Sequence, residues 1–169
     1  MQTRFLEEFE LIKTEARKTL EKYQQAIELD PTNAGPFNGI GGVYLQLGEF
    51  EKAIQYYQKA IKIDPNDAGP FNGIATAYFG LEKFNKAIEY YQKTIKINPN
   101  NAAAWYYLGT SYSCLNKNEE ALLVFKDAQK IHKENSFIQN GLALVTRKLN
   151  KNNTPVTRLT ATTIRKLKR

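Results

Sequence analysis

The chain repeats itself at a spacing of 34 residues. Ala34 to Asp67 reads AGPFNGIGGVYLQLGEFEKAIQYYQKAIKIDPND, and Ala68 to Asn101 reads AGPFNGIATAYFGLEKFNKAIEYYQKTIKINPNN; 22 of the 34 positions are identical. A third, more diverged copy runs from Ala102 to about Asn135. A period of this length marks a supersecondary unit that cannot bury its apolar face alone and must stack on a neighbour. Stacks of this kind present extended surfaces, so binding is expected rather than catalysis.

Counted from their first alanine, the copies carry an aromatic at position 4 (Phe37, Phe71, Trp105) and an aliphatic at 7 (Ile40, Ile74, Leu108). A very small residue stands at 8 (Gly41, Ala75, Gly109) and a tyrosine at 11 (Tyr44, Tyr78, Tyr112). Alanine follows at 20 (Ala53, Ala87, Ala121), an aromatic at 24 (Tyr57, Tyr91, Phe125) and a small residue at 27 (Ala60, Thr94, Ala128). Positions 4, 7, 8 and 11 share one helical face, as do 20, 24 and 27. Two helices per copy therefore pack closely over the small residues, with the aromatics filling the space beside them. The inter-helix turn falls at Leu47-Gly48-Glu49, where glycine can take the left-handed conformation. Pro65 and Pro99 end the second helices, and Pro36 and Pro70 sit in the first turn of the next ones. The spans expected are 34–47 and 50–63, 68–81 and 84–97, and 102–115 and 119–132.

This pattern resembles the tetratricopeptide repeat, departing from it only at Thr94 and at Lys133, which replaces the third proline. The resemblance implies an all-α, right-handed superhelix of paired antiparallel helices. The paired tyrosines Tyr56, Tyr57, Tyr90 and Tyr91 resemble the family consensus and read as packing rather than as a recognition strip.

Both flanks differ. Residues 1–33 look like a degenerate repeat or helical cap: Phe5, Phe9, Ile12, Ala16, Leu20, Tyr23 and Ile27 recur at helical spacing without glycine or proline between them. One long amphipathic helix to Leu29 is expected, or two with a break near Lys13-Thr14. Such a cap shields the first repeat, and its apolar edge could also pair with a second copy of the chain to give a homodimer. Residues 136–149, opened by Ser136, read as a capping helix carrying Phe137, Ile138, Leu142, Val145 and Leu149. Residues 150–169 read as a linker and basic tail.

The net charge of +7 belongs to that tail. Residues 1–146 hold 16 basic and 17 acidic residues, whereas residues 147–169 hold eight basic ones, among them Arg158, Arg165, Lys166, Lys168 and Arg169, and no acid. Such a tail could contact nucleic acid or an anionic membrane, or simply remain solvated. A single cysteine excludes an internal disulfide and suits a cytoplasmic location; no run approaches membrane-spanning length. Zinc needs several Cys or His ligands and a nucleophile needs an adjacent base. The chain has only Cys114 and His132. No enzyme, metal or cofactor is expected.

What remains is a protein-interaction module, an adaptor or scaffold. The resemblance implies that the first helices line a concave groove through positions 2, 5, 6, 9, 12 and 13. Those are Gly35, Asn38, Gly39, Gly42, Leu45 and Gln46, then Gly69, Asn72, Gly73, Thr76, Phe79 and Gly80, then Ala103, Tyr106, Tyr107, Thr110, Ser113 and Cys114, without one charge among them. The family's clamp for acidic chaperone tails would fall on Asn38, Gly42, Gly73, Ala103 and Tyr107, which include no lysine or arginine. The glycines would let a ligand backbone come close, Asn38 and Asn72 would offer amides, and Leu45, Phe79, Tyr106 and Tyr107 apolar area. The expected ligand is a neutral, partly apolar peptide segment held by Asn38, Gly42, Leu45, Asn72, Thr76, Phe79, Tyr106, Tyr107 and Thr110. Alternatives are a secretion-type chaperone, or a nucleic-acid- or membrane-associated protein acting through the tail.

Overall fold

A computed structural model describes the backbone of residues 2–152 and the side chains of residues 10–151. The basic-tail residues Arg158, Arg165, Lys166, Lys168 and Arg169, and the side chains of Phe5 and Phe9, lie outside the described residues. Among those described there are eight α-helices and no strand. They are α1 (Gln2–Leu29), α2 (Ala34–Gln46), α3 (Phe50–Ile63), α4 (Ala68–Gly80), α5 (Phe84–Ile97), α6 (Ala102–Cys114), α7 (Asn118–Ile131) and α8 (Ser136–Asn152). The six repeat helices agree with the expected spans to within one residue at each end. They form two compact units, divided between Pro99 and Asn100.

The period appears first in the backbone. Asn33, Asp67, Asn101 and Asn135 stand 34 residues apart, and each caps a first helix. Their side-chain oxygens accept from the N–H of Gly35 (2.9 Å), Gly69 (2.8 Å), Ala104 (3.0 Å) and Ile138 (3.2 Å). Each cap stabilises its helix by about 1 kcal/mol. At the other end, Asp64 and Asn98 are extended because a proline follows.

The inter-helix turns place Gly48 at φ 73°, Glu82 at φ 57° and Asn116 at φ 59°. Gly48 was expected there; Glu82 holds the same conformation against the clash of its Cβ with the following carbonyl. Glu82→Gly should therefore stabilise the chain by up to about 1 kcal/mol, read as a higher urea midpoint at unchanged slope. An unchanged or lower midpoint would contradict this account of the turn.

In the first unit, α1 is one continuous helix, not two. No breaker interrupts it, and Thr14 Oγ1 donates back to the Glu10 carbonyl at 2.8 Å across the expected break. Its C-terminal half packs on α2. Ala53, Ile54, Tyr57, Ile74 and Ala77 form the buried core, with Tyr44, Leu45, Phe50 and Tyr78 packed around it. Tyr57 is 4 % exposed, and burial pushes its phenol up to about 12.

In the second unit, Phe125 and Ala128 of α7 meet Ile138 and Val145 of α8. At its far end α8 is also held by a polar chain. Lys148 Nζ donates to Ser113 Oγ at 2.8 Å, and Ser113 Oγ donates to Asn118 Oδ1 at 3.4 Å. Helix α8 runs on to Asn152, into the stretch expected to be linker, because no proline comes before Pro155. It is in register as the first helix of a further copy. Yet its positions 4 and 11 are Gln139 and Thr146, both exposed, where the other copies carry an aromatic and a tyrosine, and Ala143, the small residue at position 8, is exposed as well. That face offers little apolar surface to a further helix.

Candidate functional site

The close approach of helices rests on a ring-in-glycine arrangement. A Cβ on Gly41 would lie 2.7 Å from the Tyr57 ring, and one on Gly73 2.2 Å from the same ring. Tyr57 of α3 is thus gripped by its own copy's position 8 and by position 6 of the next first helix. Phe125 of α7 is held in the same way between Gly109 and Gly141, at 2.6 and 2.5 Å. A Cβ on Gly39 would lie 2.3 Å from the Tyr23 ring of α1. Such distances exclude any side chain, so the neighbouring ring occupies the whole space.

This alters the expected character of the first-helix faces. Gly39 and Gly73 do not open the surface to a ligand backbone, because rings fill the space beside them. Gly80 is filled likewise by Phe50, at 2.5 Å. Gly42 differs: the nearest atom to a Cβ there is Tyr57 Oη at 3.8 Å, which is ordinary contact. Ser113 is buried and committed to Lys148 and Asn118, while Cys114 is exposed.

In the first unit, Asn38, Gly42, Leu45, Asn72, Thr76 and Phe79 are all half-buried on α2 and α4. The Asn38 amide nitrogen packs 3.3 Å from where a Gly69 Cβ would be. Asn72 Oδ1 is buried and accepts no hydrogen bond. Thr76 Oγ1 donates to the Asn72 carbonyl at 2.9 Å and lies 3.2 Å from Tyr91 Oη. Phe79 stands edge-on to Phe84, centroids 5.4 Å apart, and Leu45 leans on the core.

In the second unit, Tyr106 is the hub. Its ring meets Tyr107 at 5.2 Å, Phe137 at 5.8 Å and Phe125 at 6.2 Å. Thr110 Oγ1 donates to the Tyr106 carbonyl at 2.9 Å. Two open pockets flank Tyr106. One of about 370 Å³ is lined by Ala102, Ala103, Tyr107, Asn135 and Phe137. The other, about 140 Å³, is lined by Thr110, Phe125, Asn140, Gly141 and Leu144. Phe137 is 66 % exposed and Leu144 55 %, and each lines one of these pockets. Sequence reasoning missed Phe137, Asn140 and Leu144 as surface residues because α8 was taken as a cap. Aligning Ser136 with the copies would have found them at positions 2, 5 and 9.

The tyrosine pairs divide. Tyr57 and Tyr91 are buried, as packing requires. Tyr56 stacks on Tyr44 at 5.5 Å and Tyr90 leans on Tyr78 at 5.7 Å, with Lys59 and Lys93 above them at 4.5 and 4.6 Å. Among the described residues no group of three or more Cys, His, Asp or Glu gathers, and no helix is long and apolar enough to cross a membrane.

Comparison with known proteins supports the periodic reading. Tetratricopeptide repeat family models match residues 36–67 and 70–101, residues 90–122, and residues 18–48. No curated protein sequence matches the chain significantly. Among solved structures, MamA aligns with a TM-score of 0.74 at 21 % identity, covering 82 % of this chain and 81 % of its own. The Arabidopsis OM64 TPR domain gives 0.64 at 22 %, covering 68 % and 95 %. The first TPR of Spaghetti (RPAP3), bound to the HSP90 peptide SRMEEVD, gives 0.66 at 26 %, covering 72 % and 96 %. With its 34-residue period, its paired helices and these matches across successive repeats, the chain belongs to the tetratricopeptide repeat family.

Proposed function

We propose that the chain is a non-catalytic interaction module that binds a neutral, partly apolar segment of a partner protein on its first-helix faces. The observation that carries this reading is the absence of charge where the faces expose apolar area: Leu45 and Phe79 in one unit, Tyr106 and Tyr107 in the other. The hydroxyls of Thr76 and Thr110 already donate to their own helices, so toward a ligand they act as acceptors. An acidic tail such as that bound by the RPAP3 repeat is disfavoured, since Asn38, Gly42, Gly73, Ala103 and Tyr107 offer it no cation.

The test is titration of a captured partner at low and high salt. Phe79→Ala or Tyr106→Ala should weaken binding by about 1–2 kcal/mol, with little change on adding salt. Binding that instead follows removal of residues 153–169, and falls steeply with salt, would transfer the function to the basic tail.

A further inference from the structure

The second helices of the first unit carry a stripe that the packing of the repeat does not require. Positions 19, 23, 26 and 30 of each copy read Lys52, Tyr56, Lys59 and Ile63 on α3 and Lys86, Tyr90, Lys93 and Ile97 on α5. Spaced three or four residues apart, they share one helical face. Tyr56 and Tyr90 are half-exposed, unlike the buried Tyr57 and Tyr91, and the four lysines are exposed. On α7 the same positions are Glu120, Val124, Asp127 and Ile131. That helix still buries Ala121, Phe125 and Ala128 as its counterparts do, so the fold needs neither the lysines nor the ring.

Between Ala34 and Asn101 the charge nearly balances, seven lysines against six acids, but the two signs are unequally engaged. Asp64 and Asp67 accept from the N–H groups of Asn66 and Gly69 at 2.9 and 2.8 Å, and Glu49 pairs with Lys52. Among the described residues Lys59, Lys62, Lys86, Lys93 and Lys96 make no ion pair. Lys59 and Lys93 lie over Tyr56 and Tyr90 at 4.5 and 4.6 Å, exposed contacts weak enough to exchange for an anion. Asn66, Phe71, Lys93, Lys96 and Ile97 line an open pocket of about 590 Å³ without an acid among them, and the Phe71 ring stands 6.4 Å from Tyr90. The preceding copy repeats this set as Phe37, Lys59, Lys62 and Ile63.

An acidic peptide would use the cations and leave the rings idle. A chain of phosphates joined through flat bases uses both, the ammonium groups as point charges and the rings as stacking platforms. We infer that the α3/α5 stripe binds single-stranded nucleic acid, with phosphates at Lys59, Lys62, Lys93 and Lys96 and bases stacked on Phe71 and the exposed parts of Tyr56 and Tyr90. None of these residues belongs to the first-helix positions that would hold a partner segment, so the two surfaces are tested separately.

The experiment is fluorescence anisotropy of a labelled oligouridylate titrated with the full chain over a salt series. Lys93→Gln with Lys96→Gln should weaken binding about tenfold and flatten the slope of log affinity against log salt by about 1.4, the share of two phosphates. Phe71→Leu, which keeps an apolar side chain, should weaken binding about fivefold with the slope unchanged. Circular dichroism checks that each variant is folded. The loss in the lysine pair should persist when the tail is neutralised by Arg165→Gln, Lys166→Gln, Lys168→Gln and Arg169→Gln, and Phe79→Ala and Tyr106→Ala should leave nucleic-acid binding unchanged. Wild type that does not bind the strand at low salt overturns the proposal. Binding that follows the tail and ignores Lys93 and Lys96 also overturns it. So does inorganic polyphosphate that competes as well as the strand, or a Phe71→Leu variant that binds like wild type, since charge alone would then be recognised.

Discussion

Tyr57→Ala is expected to lower the stability of the chain by about 3–5 kcal/mol, the range for deleting a buried aromatic whose cavity cannot collapse. Collapse is limited here because two helices meet the ring through glycine backbone, although side chains such as Ile54 and Ile74 complete the core. The ring is clasped by Gly41 of α2 and Gly73 of α4, and neither has a side chain that could move into the void. The same deletion loosens the joint between two successive repeats, so it removes an interface as well as a local contact. Lys59→Ala, two residues away, is the control. Its ammonium lies over the exposed face of Tyr56 at 4.5 Å, a contact contributing about 0.5–1 kcal/mol. Urea unfolding of the two variants beside wild type measures the contrast. Similar midpoints for Tyr57→Ala and Lys59→Ala would contradict the placement of Tyr57 at the joint.

The alternation of helices and turns was legible in the sequence because it depends on local rules repeated every 34 residues. Pro65 and Pro99 set helix ends through their own ring geometry, and the small-plus-aromatic pattern at positions 8 and 24 identifies two helices in contact. The unbroken apolar period marked α1 as helical but left one helix or two open, which the continuous Gln2–Leu29 helix decides.

The surfaces were less legible, because a side chain's availability depends on what a neighbouring repeat brings to it. Gly73 and Gly42 are both small residues at groove positions. A Cβ on one would run into the Tyr57 ring and a Cβ on the other would only touch its hydroxyl at 3.8 Å, a difference decided by where α3 sits against α2 and α4. Phe137 and Leu144 were hidden differently. Apolar residues on a terminal helix read as core, and most of α8's are: Ile138 and Val145 are buried, and Leu142 and Leu149 pack on the same cluster. Separating the two sets needs the direction of α8 relative to α6 and α7, which no local pattern contains.

The grip on Tyr57 also makes a prediction whose sign depends on context. Gly73→Ala adds one methyl group at a point where a Cβ would lie 2.2 Å from the ring. The ring cannot yield freely, since it also packs closely on Gly41, where a Cβ would lie 2.7 Å from it. Overpacking of this kind costs about 1–3 kcal/mol, and it outweighs the gain of up to about 1 kcal/mol that alanine brings over glycine inside a helix. Gly73→Ala should therefore destabilise the wild-type chain. Once Tyr57 is alanine the obstacle is gone, and only the propensity gain remains together with partial filling of the void. In that background the same substitution should stabilise the protein. The double-mutant cycle then gives a coupling of roughly 1–3 kcal/mol, the removed clash, because the propensity gain is common to both backgrounds and cancels. Four denaturation curves decide it. If Gly73→Ala has the same effect with and without the tyrosine ring, position 6 is small for some reason other than the ring it faces.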